Sequence, residues 1–396
     1  MSGRLRVAVI ADYLEEEWPS MDLVADMLIE HLRKEHRSAV DATLVRPPMP
    51  LRLSRLPRAV VGSKLSVLDR AVARQWDYAR HLRRLGDVDV FHVVDHTYAN
   101  LVHRLPRGRT VVTCHDIDAF RSVLEPEAER RSLPYRWMSR RILDGLRAAA
   151  HVMCDSDSTR DALARLAAFP EDRLSVIRNG ADATGWSDAG AASDLEAGRL
   201  LGPPRRHDLL HVGSTIPRKR IDLLIDVFAA VRAAQPDARL VRAGGQFTAD
   251  QRVRARDLGV LDAIVVLPFV DRATLSAIYR RAALTVLPSE REGFGLPLVE
   301  TLACGTPVVA SDIPVLREIG GDAATYAPLD DVPAWRDTVL ALFRERDTAP
   351  DAWRARRAAA RARAADFSWS HYTARVVDVY TAIARGERVA AADGAA

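Results

Sequence analysis

Short apolar runs alternate along this chain with longer stretches in which apolar residues recur at helical spacing. In the first half, the apolar runs that predict strands lie at 6–13, 87–95, 110–116, 151–156 and 174–179. In the second half they lie at 208–214, 238–245, 263–270, 284–290 and 306–309. Continuous apolar runs are typical of strands buried on both faces of a parallel sheet, and the intervening stretches have the period of helices. The pattern predicts an α/β fold with two doubly wound sheets, whose ligands bind at the carboxyl ends of the strands.

The periodicity is lost in one internal segment, which marks the boundary between the two predicted domains. Residues 186–206 are rich in Gly, Ala, Asp and Pro, a composition typical of a linker. We therefore expect an N-terminal domain at 1–185 and a C-terminal domain at 207–367. The final residues 388–396 are small and polar, and we expect them to form a disordered tail. A length of 396 residues fits two domains of ordinary size.

The segment 289–312, SEREGFGLPLVETLACGTPVVASD, holds a loop between two glutamates. Gly293 and Gly295 permit backbone torsions that a β-carbon would forbid, and the proline that follows suits the first turn of a helix. Glu292 then lies just before a helix N-terminus and Glu300 about one turn inside it. The amides and the dipole at such a terminus bind anions. A diphosphate on the amides with a hydroxyl-rich group on each carboxylate is a nucleotide-sugar. The glycines and the proline exclude an unbroken helix, and the alternative is a solvated helix start.

A basic turn follows the predicted strand 208–214. Gly213 lies at the end of this strand, and Arg218 and Lys219 precede the next helix. Cations at this position can neutralise the charge on a departing diphosphate, and the alternative is a solvated basic turn. Basic residues in this chain are almost all arginines, and Lys219 is the only lysine beyond residue 64. Its presence is therefore evidence of a role.

Polar residues also end the predicted strands of the first half. His115 ends the run TVVTCHD, where a histidine can donate to a sugar hydroxyl or stabilise a forming charge, unless it is structural. Asp95 and His96 end the run before it and are candidates for binding an acceptor. Asn179, in the sequence IRNG, is expected to serve in a turn.

The residues from Glu292 to Glu300 resemble the Glu-x7-Glu signature of the family-four retaining glycosyltransferases, also called glycosyl transferases group 1. That family has the GT-B fold, in which two Rossmann-like domains face each other across a cleft. The resemblance implies that Glu300 holds the ribose hydroxyls and that Glu292 lies beside the donor sugar. It also implies that the backbone amides of Phe294, Gly295 and Leu296 approach sugar and phosphate.

Other segments of the chain carry the same resemblance. The turn with Arg218 and Lys219 resembles the family's Pro-Arg-Lys phosphate loop, although Ser214 stands where many relatives carry arginine. The run LPFV resembles the segment whose backbone holds the nucleotide base, which points to Phe269; a buried strand end is the alternative. TVVTCHD is similar to the family's Thr-x-His-Asp, whose histidine, here His115, faces the donor sugar across the cleft.

The resemblance has further implications for architecture and chemistry. It implies that the C-terminal helix, 368–387, crosses back to complete the first domain, and that helix dipole and basic side chains take the place of a metal. Asp87-Val88-Asp89 has the form of a metal-binding Asp-x-Asp, but no partner ligand is in sight, so we expect neither metal nor cofactor. The expected reaction is retaining transfer of a sugar from a nucleotide diphosphate-sugar to a hydroxyl of a glycan, glycolipid or small molecule.

Two other functions remain open at this point. One is a phosphorylase or a nucleotide-sugar epimerase of the same fold. The other is a binding module that holds a nucleotide-sugar without turnover, which the serine at position 214 motivates.

Composition and charge restrict the partners. The chain has a formal net charge of +4, 48% hydrophobic and 28% charged residues, three scattered cysteines and no signal-peptide pattern, so we expect a cytoplasmic protein. The segment 52–84 holds nine basic residues against two aspartates, with Trp76 among them. It is either a surface for an anionic membrane at the inner face or a solvated helix face. The sequence has no recognisable nucleic-acid-binding module.

Overall fold

The computed structural model describes residues 3–50, 52, 69–181, 186 and 190–389, and the chain divides into two compact units. The N-terminal unit comprises Met1–Asn179 together with Trp369–Ala396, and the C-terminal unit comprises Gly180–Ser368. The division therefore falls at Asn179, six residues before the end of the predicted first domain. The predicted tail, apart from its first two residues, lies outside the described residues.

The N-terminal unit is built on a parallel six-stranded sheet with the order β2-β1-β3-β4-β5-β6. The strands are β1 Leu5–Ile10, β2 Val40–Val45, β3 Val90–Val93, β4 Thr110–Cys114, β5 His151–Cys154 and β6 Leu174–Val176. The helices are α1 Pro19–Glu35, α2 with its described part at 69–82, α3 Arg121–Leu124, α4 Leu133–Ala148, α5 Asp157–Leu166 and the C-terminal helix, here α14, Trp369–Arg385.

Helix α14 packs on α1 and belongs to this unit. Its apolar face joins the core beneath β1 and β3 through residues such as Trp369 and Val376. The Tyr380 hydroxyl lies 2.7 Å from His92 Nδ1, and His92 Nε2 lies 2.8 Å from Thr113 Oγ1. This buried polar chain ties the last helix to the centre of the first sheet.

The C-terminal unit is built on a second parallel six-stranded sheet, with the order β9-β8-β7-β10-β11-β12. The strands are β7 Asp208–Val212, β8 Arg239–Ala243, β9 Ile264–Val266, β10 Leu284–Leu287, β11 Val308–Ser311 and β12 Thr325–Ala327. The helices are α6 Ala191–Leu201, α7 Ile221–Ala234, α8 Ala249–Asp257, α9 Arg272–Arg281, α10 Leu296–Ala303, α11 Pro314–Gly320, α12 Val332–Thr348 and α13 Pro350–Ala364.

The predicted linker 186–206 is not irregular throughout. Its central part forms α6, which packs on α9 and buries Ala197 and Leu201 in the core of the C-terminal unit. The many small residues hide the helical period in the sequence, and packing against α9 supplies the stability that the local sequence lacks.

Each sheet has one point at which the strand order reverses. In the N-terminal unit this switch point lies between β1 and β3, and in the C-terminal unit it lies between β7 and β10. In open parallel sheets the crevice beyond the carboxyl ends of the strands at such a point is the usual ligand site. Both switch points are therefore places to look for function.

Candidate active site

The loops that follow β7 and β10 meet at the switch point of the C-terminal unit. The backbone amide of Glu290, after β10, donates to the carbonyl of Arg218, after β7, at 2.9 Å. The basic turn and the two-glutamate segment, which are far apart in sequence, are therefore neighbours.

Three of the predicted residues form one ionic group at this point, here called the Glu292 triad: Glu292, Lys219 and Arg218. Lys219 Nζ lies 2.5 Å from Glu292 Oε1, and Arg218 Nη1 lies 3.0 Å from Glu292 Oε2. Burial raises the pKa of Glu292, but Lys219 and Arg218, helped by Ser289, outweigh it and lower the pKa below its ordinary value. The side chains of Lys219, Arg218 and Glu292 are 12%, 19% and 10% exposed, so water reaches the group. Two cations against one carboxylate leave the triad with a surplus positive charge.

The N-terminus of α10 lies directly after this group. Its first residue is Leu296, and its N-cap is Gly295, which has φ 90° and ψ 50°. The backbone of Gly295 is in the left-handed region, and a β-carbon there would lie only 2.9 Å from Leu316 Cδ2. This position therefore requires glycine. No side chain caps the helix, so its first amides have no side-chain acceptor. The preceding Phe294 is buried and packs edge-on to Phe367, with ring centroids 5.8 Å apart, and thereby anchors the loop.

Glu300 lies one turn into α10 and is held by a residue that the sequence did not indicate. The hydroxyl of Tyr279, on α9, donates to Glu300 Oε2 at 2.9 Å. Burial raises the pKa of Glu300 above its ordinary value, and the bond from Tyr279 opposes this shift. Tyr279 is itself buried against Trp186, with ring centroids 5.8 Å apart. The carboxylate of Glu300 is therefore oriented before any ligand arrives.

A buried arginine holds the glycine turns that follow β7 and β8. The guanidinium of Arg242, in β8, donates to the carbonyls of Gly213 at 3.0 Å and Gly244 at 3.5 Å, and also to that of Gly245. It stacks on Phe247 at 5.2 Å, has no ion pair with any described residue, and burial lowers its pKa to about 10. A β-carbon at Gly244, where φ is 118°, would lie 2.2 Å from the Gly213 carbonyl oxygen. The sequence analysis missed Arg242, although a charged residue that interrupts an apolar run indicates a specific role.

Phe269 follows β9, two strands away from β7. Its ring is 87% exposed, so the alternative of a buried strand end does not describe it. The role that the resemblance implies for its backbone stays a prediction.

His115 lies at the carboxyl end of β4, in a closed polar cluster with Asp155 and Asn179. His115 Nδ1 lies 3.1 Å from Asp155 Oδ2, and Nε2 lies 2.8 Å from the carbonyl oxygen of Val94. With Asp155 ionised, both partners are acceptors, so both ring nitrogens donate and the ring is cationic. Burial raises the pKa of Asp155, and the bond from His115 opposes this shift. Burial lowers the pKa of His115, but the bond to Asp155 and its charge raise it more, so that the pKa is raised overall. Asn179 donates to the same carboxylate at 3.2 Å.

Two consequences follow for the sequence predictions. In this geometry neither nitrogen of His115 is available to a sugar hydroxyl, so the predicted contact with the donor requires the bond to Val94 to open. Asn179, expected to act in a turn, contributes a side-chain hydrogen bond instead. Asp155 was missed, although it ends an apolar run in the same way as His115 does.

Asp95 and His96 lie at the switch point of the N-terminal unit, but their side chains are almost entirely buried. Asp95 accepts from the amide of Thr97 at 2.8 Å and caps the short helix His96–Arg104. Burial and the adjacent Asp95 raise the pKa of Asp12, at the end of β1, well above its ordinary value. Burial also opposes ionisation of Asp95, but His96 and the bond to Asp12 outweigh it and lower its pKa. The two aspartates thus interact closely, with the pKa of Asp12 raised and that of Asp95 lowered, a pairing that the sequence did not indicate.

Both aspartates of the Asp-x-Asp segment, Asp87 and Asp89, form ion pairs with Arg6. Arg6 lies 3.3 Å from Asp87 and 3.0 Å from Asp89. Within the described residues, no group of three or more His, Cys, Asp and Glu side chains is arranged to hold a metal ion.

Comparison with known families adds to this geometry. The family model described as glycosyl transferases group 1 matches residues 198–352, and the model described as Glycosyltransferase Family 4 matches residues 22–184. O-antigen chain mannosyltransferase B of Escherichia coli is 30% identical over 288 residues, 71% of each chain. D-inositol 3-phosphate glycosyltransferase of Xylanimonas cellulosilytica is 36% identical over 239 residues, which are 56% of this chain and 55% of that one. The chain spans about half the length of this second relative.

Solved structures match over nearly the whole chain. Sucrose-phosphate synthase from Thermosynechococcus elongatus has a TM-score of 0.71 at 18% identity and covers 96% of this chain and 98% of its own. Anabaena HepE in complex with UDP-glucose has a TM-score of 0.70 at 14% identity, covering 96% of this chain and 100% of its own. The fold is the GT-B fold that the sequence predicts.

Proposed function

Because this chain belongs to the glycosyl transferases group 1 family, we propose that it transfers a sugar from a nucleotide diphosphate-sugar to an acceptor hydroxyl with retention of configuration, without metal or cofactor. The observation that carries the proposal is the Glu292 triad at the switch point of the C-terminal sheet. HepE, which shares the fold, has been solved with UDP and with UDP-glucose, which supports a donor of this class.

The triad acts in this proposal by exchanging partners. Lys219 and Arg218 neutralise Glu292 until the donor arrives, and then turn to the phosphate oxygens, where charge builds as the sugar leaves. Glu292, released from one or both cations, accepts from hydroxyls of the donor sugar. All three side chains are partly exposed, so water replaces any partner that is lost and the exchange has a low cost in free energy.

The loop and helix after Glu292 complete the donor site. The uncapped amides at the start of α10 receive the diphosphate, with the positive end of the helix dipole behind them. Glu300 accepts from the ribose hydroxyls, and Tyr279 keeps its carboxylate in place. Arg242 keeps the glycine turns beneath the phosphates in one conformation.

The transfer itself balances without a covalent intermediate. The bond from the anomeric carbon to the diphosphate oxygen breaks as the acceptor oxygen bonds to the same face of an oxocarbenium-like sugar. The acceptor's proton passes to the departing phosphate oxygen. His115 contributes a fixed positive charge at the end of β4, and it reaches a hydroxyl only after releasing Val94.

The test combines nucleotide binding with turnover. A thermal-shift panel of UDP, GDP and ADP and their sugars should give at least one nucleotide that raises the melting temperature. With that donor, Lys219→Ala should lower the rate of sugar transfer or donor hydrolysis by about 10²–10³-fold at an unchanged melting temperature. Lys34→Ala, an exposed lysine on α1, is the matched control.

Two results would contradict the proposal. If no nucleotide shifts the melting temperature, the donor site is wrong. If a nucleotide binds tightly but wild-type protein releases no sugar from any donor, the chain is a binding module.

A further inference from the structure

Exposed tryptophans are confined to the N-terminal unit among the described residues. Trp76 and Trp137 are 66% and 60% exposed, whereas the C-terminal unit buries Trp186, Trp335 and Trp353. Large exposed aromatic side chains grouped on one surface are typical of a contact with a partner or a membrane.

Trp76 begins a basic stripe that follows the last turns of α2 and continues beyond the helix. Arg80 lies four residues after Trp76 on α2, and Arg83 and Arg84 lie in the turn that directly follows the helix. These residues and Arg104 line a groove of ≈ 540 Å³. None of the four arginines forms an ion pair with a residue that the structure describes, although ion pairs are common elsewhere in this chain. Asp77 also lines the groove, but its carboxylate is paired with Arg52, so the four arginines have no ion-pair partner among the described residues.

Helix α4 carries a second stripe of the same kind. Leu133 is 78% exposed, Trp137 follows it by four residues, and Arg141 lies over the Trp137 ring at 5.9 Å. The opposite face of α4 is buried through Ser139, Ile142 and Leu146. The Leu133–Trp137 face is thereby directed away from the core.

The two stripes are joined by a polar contact. Arg141 Nε donates to Gln75 Oε1 at 3.0 Å, and Gln75 Nε2 lies 3.1 Å from Met138 Sδ. Gln75 directly precedes Trp76, so α2 and α4 form one continuous surface, here called the Trp76–Trp137 surface: Trp76, Arg80, Arg83, Arg84, Arg104, Leu133, Trp137 and Arg141.

We infer that the Trp76–Trp137 surface binds the headgroup layer of an anionic lipid bilayer. Tryptophan rings favour the boundary between headgroups and hydrocarbon, and guanidinium groups match lipid phosphates with paired hydrogen bonds. Each arginine adds to the attraction of a negative lipid surface. No helix within the described ranges is long and apolar enough to cross a membrane, so the contact is peripheral.

This surface differs from the one that the sequence suggested. From the basic segment 52–84 it includes residues 76–84, and residues 53–68 lie outside the described residues. The aromatic stripe on α4 was not expected at all. The inference is independent of the proposed transferase activity.

The experiment is vesicle co-sedimentation of the full chain. Wild-type protein should bind vesicles of phosphatidylcholine with 30% phosphatidylglycerol at least about tenfold more strongly than phosphatidylcholine alone, and less strongly as salt is raised. Arg80→Gln combined with Arg83→Gln should reduce binding about tenfold, and so should Trp76→Ser combined with Trp137→Ser. All four side chains are substantially exposed or lie at the surface, and unchanged melting temperatures verify the folds.

Matched controls come from the other unit. Arg252→Gln combined with Arg256→Gln, exposed on α8, makes the same change in charge, and Leu195→Ser removes an exposed apolar side chain. Both should bind vesicles as the wild type does. The inference is overturned if wild-type protein ignores anionic vesicles, or if the α8 variant loses as much binding as the α2 variant. Binding of soluble polyphosphate without vesicle binding would instead assign the arginines to a free polyanion.

Discussion

The switch points of the two sheets are equivalent positions in similar folds, yet they hold their charges differently. At β7 and β10, the Glu292 triad is reached by water, and each cation has a partner that a ligand can replace. At β1 and β3, with the adjacent end of β4, the side chains of Asp95, His96 and His115 are buried and hydrogen-bonded within the unit. An accessible ion pair exchanges partners at little cost in free energy, because water solvates the separated charges. Breaking a buried pair leaves its charges without partner or water, which is unfavourable. The first arrangement suits ligand binding and the second suits stability.

The largest expected effect is a difference in the free energy of unfolding between variants of two carboxylates, Asp155 beside His115 and Glu292 in the triad. Asp155→Ala leaves the His115 cation buried without its partner, and we expect it to lower the free energy of unfolding by about 3–5 kcal/mol. Glu292→Ala leaves cations that water can reach, so its loss should be about 1 kcal/mol or less. Urea unfolding of both variants measures the difference, with Asp155→Asn as an intermediate that keeps an acceptor for His115. Equal losses would show that the Glu292 triad is as closed as the His115 cluster.

A second pair of variants tests whether a buried arginine of the C-terminal unit contributes to nucleotide binding or only to stability. Arg242→Met frees the turns at Gly213 and Gly244, and we expect nucleotide affinity to fall about tenfold, or about 1.4 kcal/mol, while the melting temperature holds. Arg239→Met, in the same strand, removes the buried partner of Asp208 at 2.6 Å and should lower the melting temperature. Calorimetric titration with the nucleotide found in the thermal-shift panel, together with melting curves, measures both. A melting temperature that falls as far for Arg242→Met as for Arg239→Met would make Arg242 a structural residue only.

The smallest effect concerns pH within the N-terminal unit. The pKa of His115 is raised, so its stabilisation is present below about pH 6.5 and is lost as pH rises through its folded pKa. Burial lowers the pKa of His92 to about 3, so stability falls as pH drops from about 6.5 towards 3, because the unfolded chain takes up a proton that folded His92 does not.

The opposite pH dependences of stability that His115 and His92 produce can be measured by NMR titration of the imidazoles and by unfolding at several pH values. His92→Gln should flatten the acid side of the stability profile, and His115→Gln the alkaline side. A His115 that titrates below its ordinary pKa would contradict the cationic ring.

The fold was predictable where strands are buried on both faces and less so elsewhere. The apolar runs predicted the central strands of both sheets, but not the edge strands β2 and β12. In β2 exposed and partly buried residues alternate between two buried ends, and β12 has only three residues, so neither forms a continuous apolar run. Helix α6 escaped prediction because its stability comes from contact with α9.

The sequence by itself determined the local part of the proposed donor site. Glu292, Gly295 and Glu300 lie in a single loop and helix start, where spacing along the chain sets the geometry within one or two turns. Tertiary structure alone decided which distant side chains meet them. The strand order brings Lys219 beside Glu292, packing of α9 on α10 brings Tyr279 to Glu300, and burial closes the cluster of His115. Spacing fixes neighbours along a helix, but partners across a sheet depend on strand order and packing, which no single segment encodes.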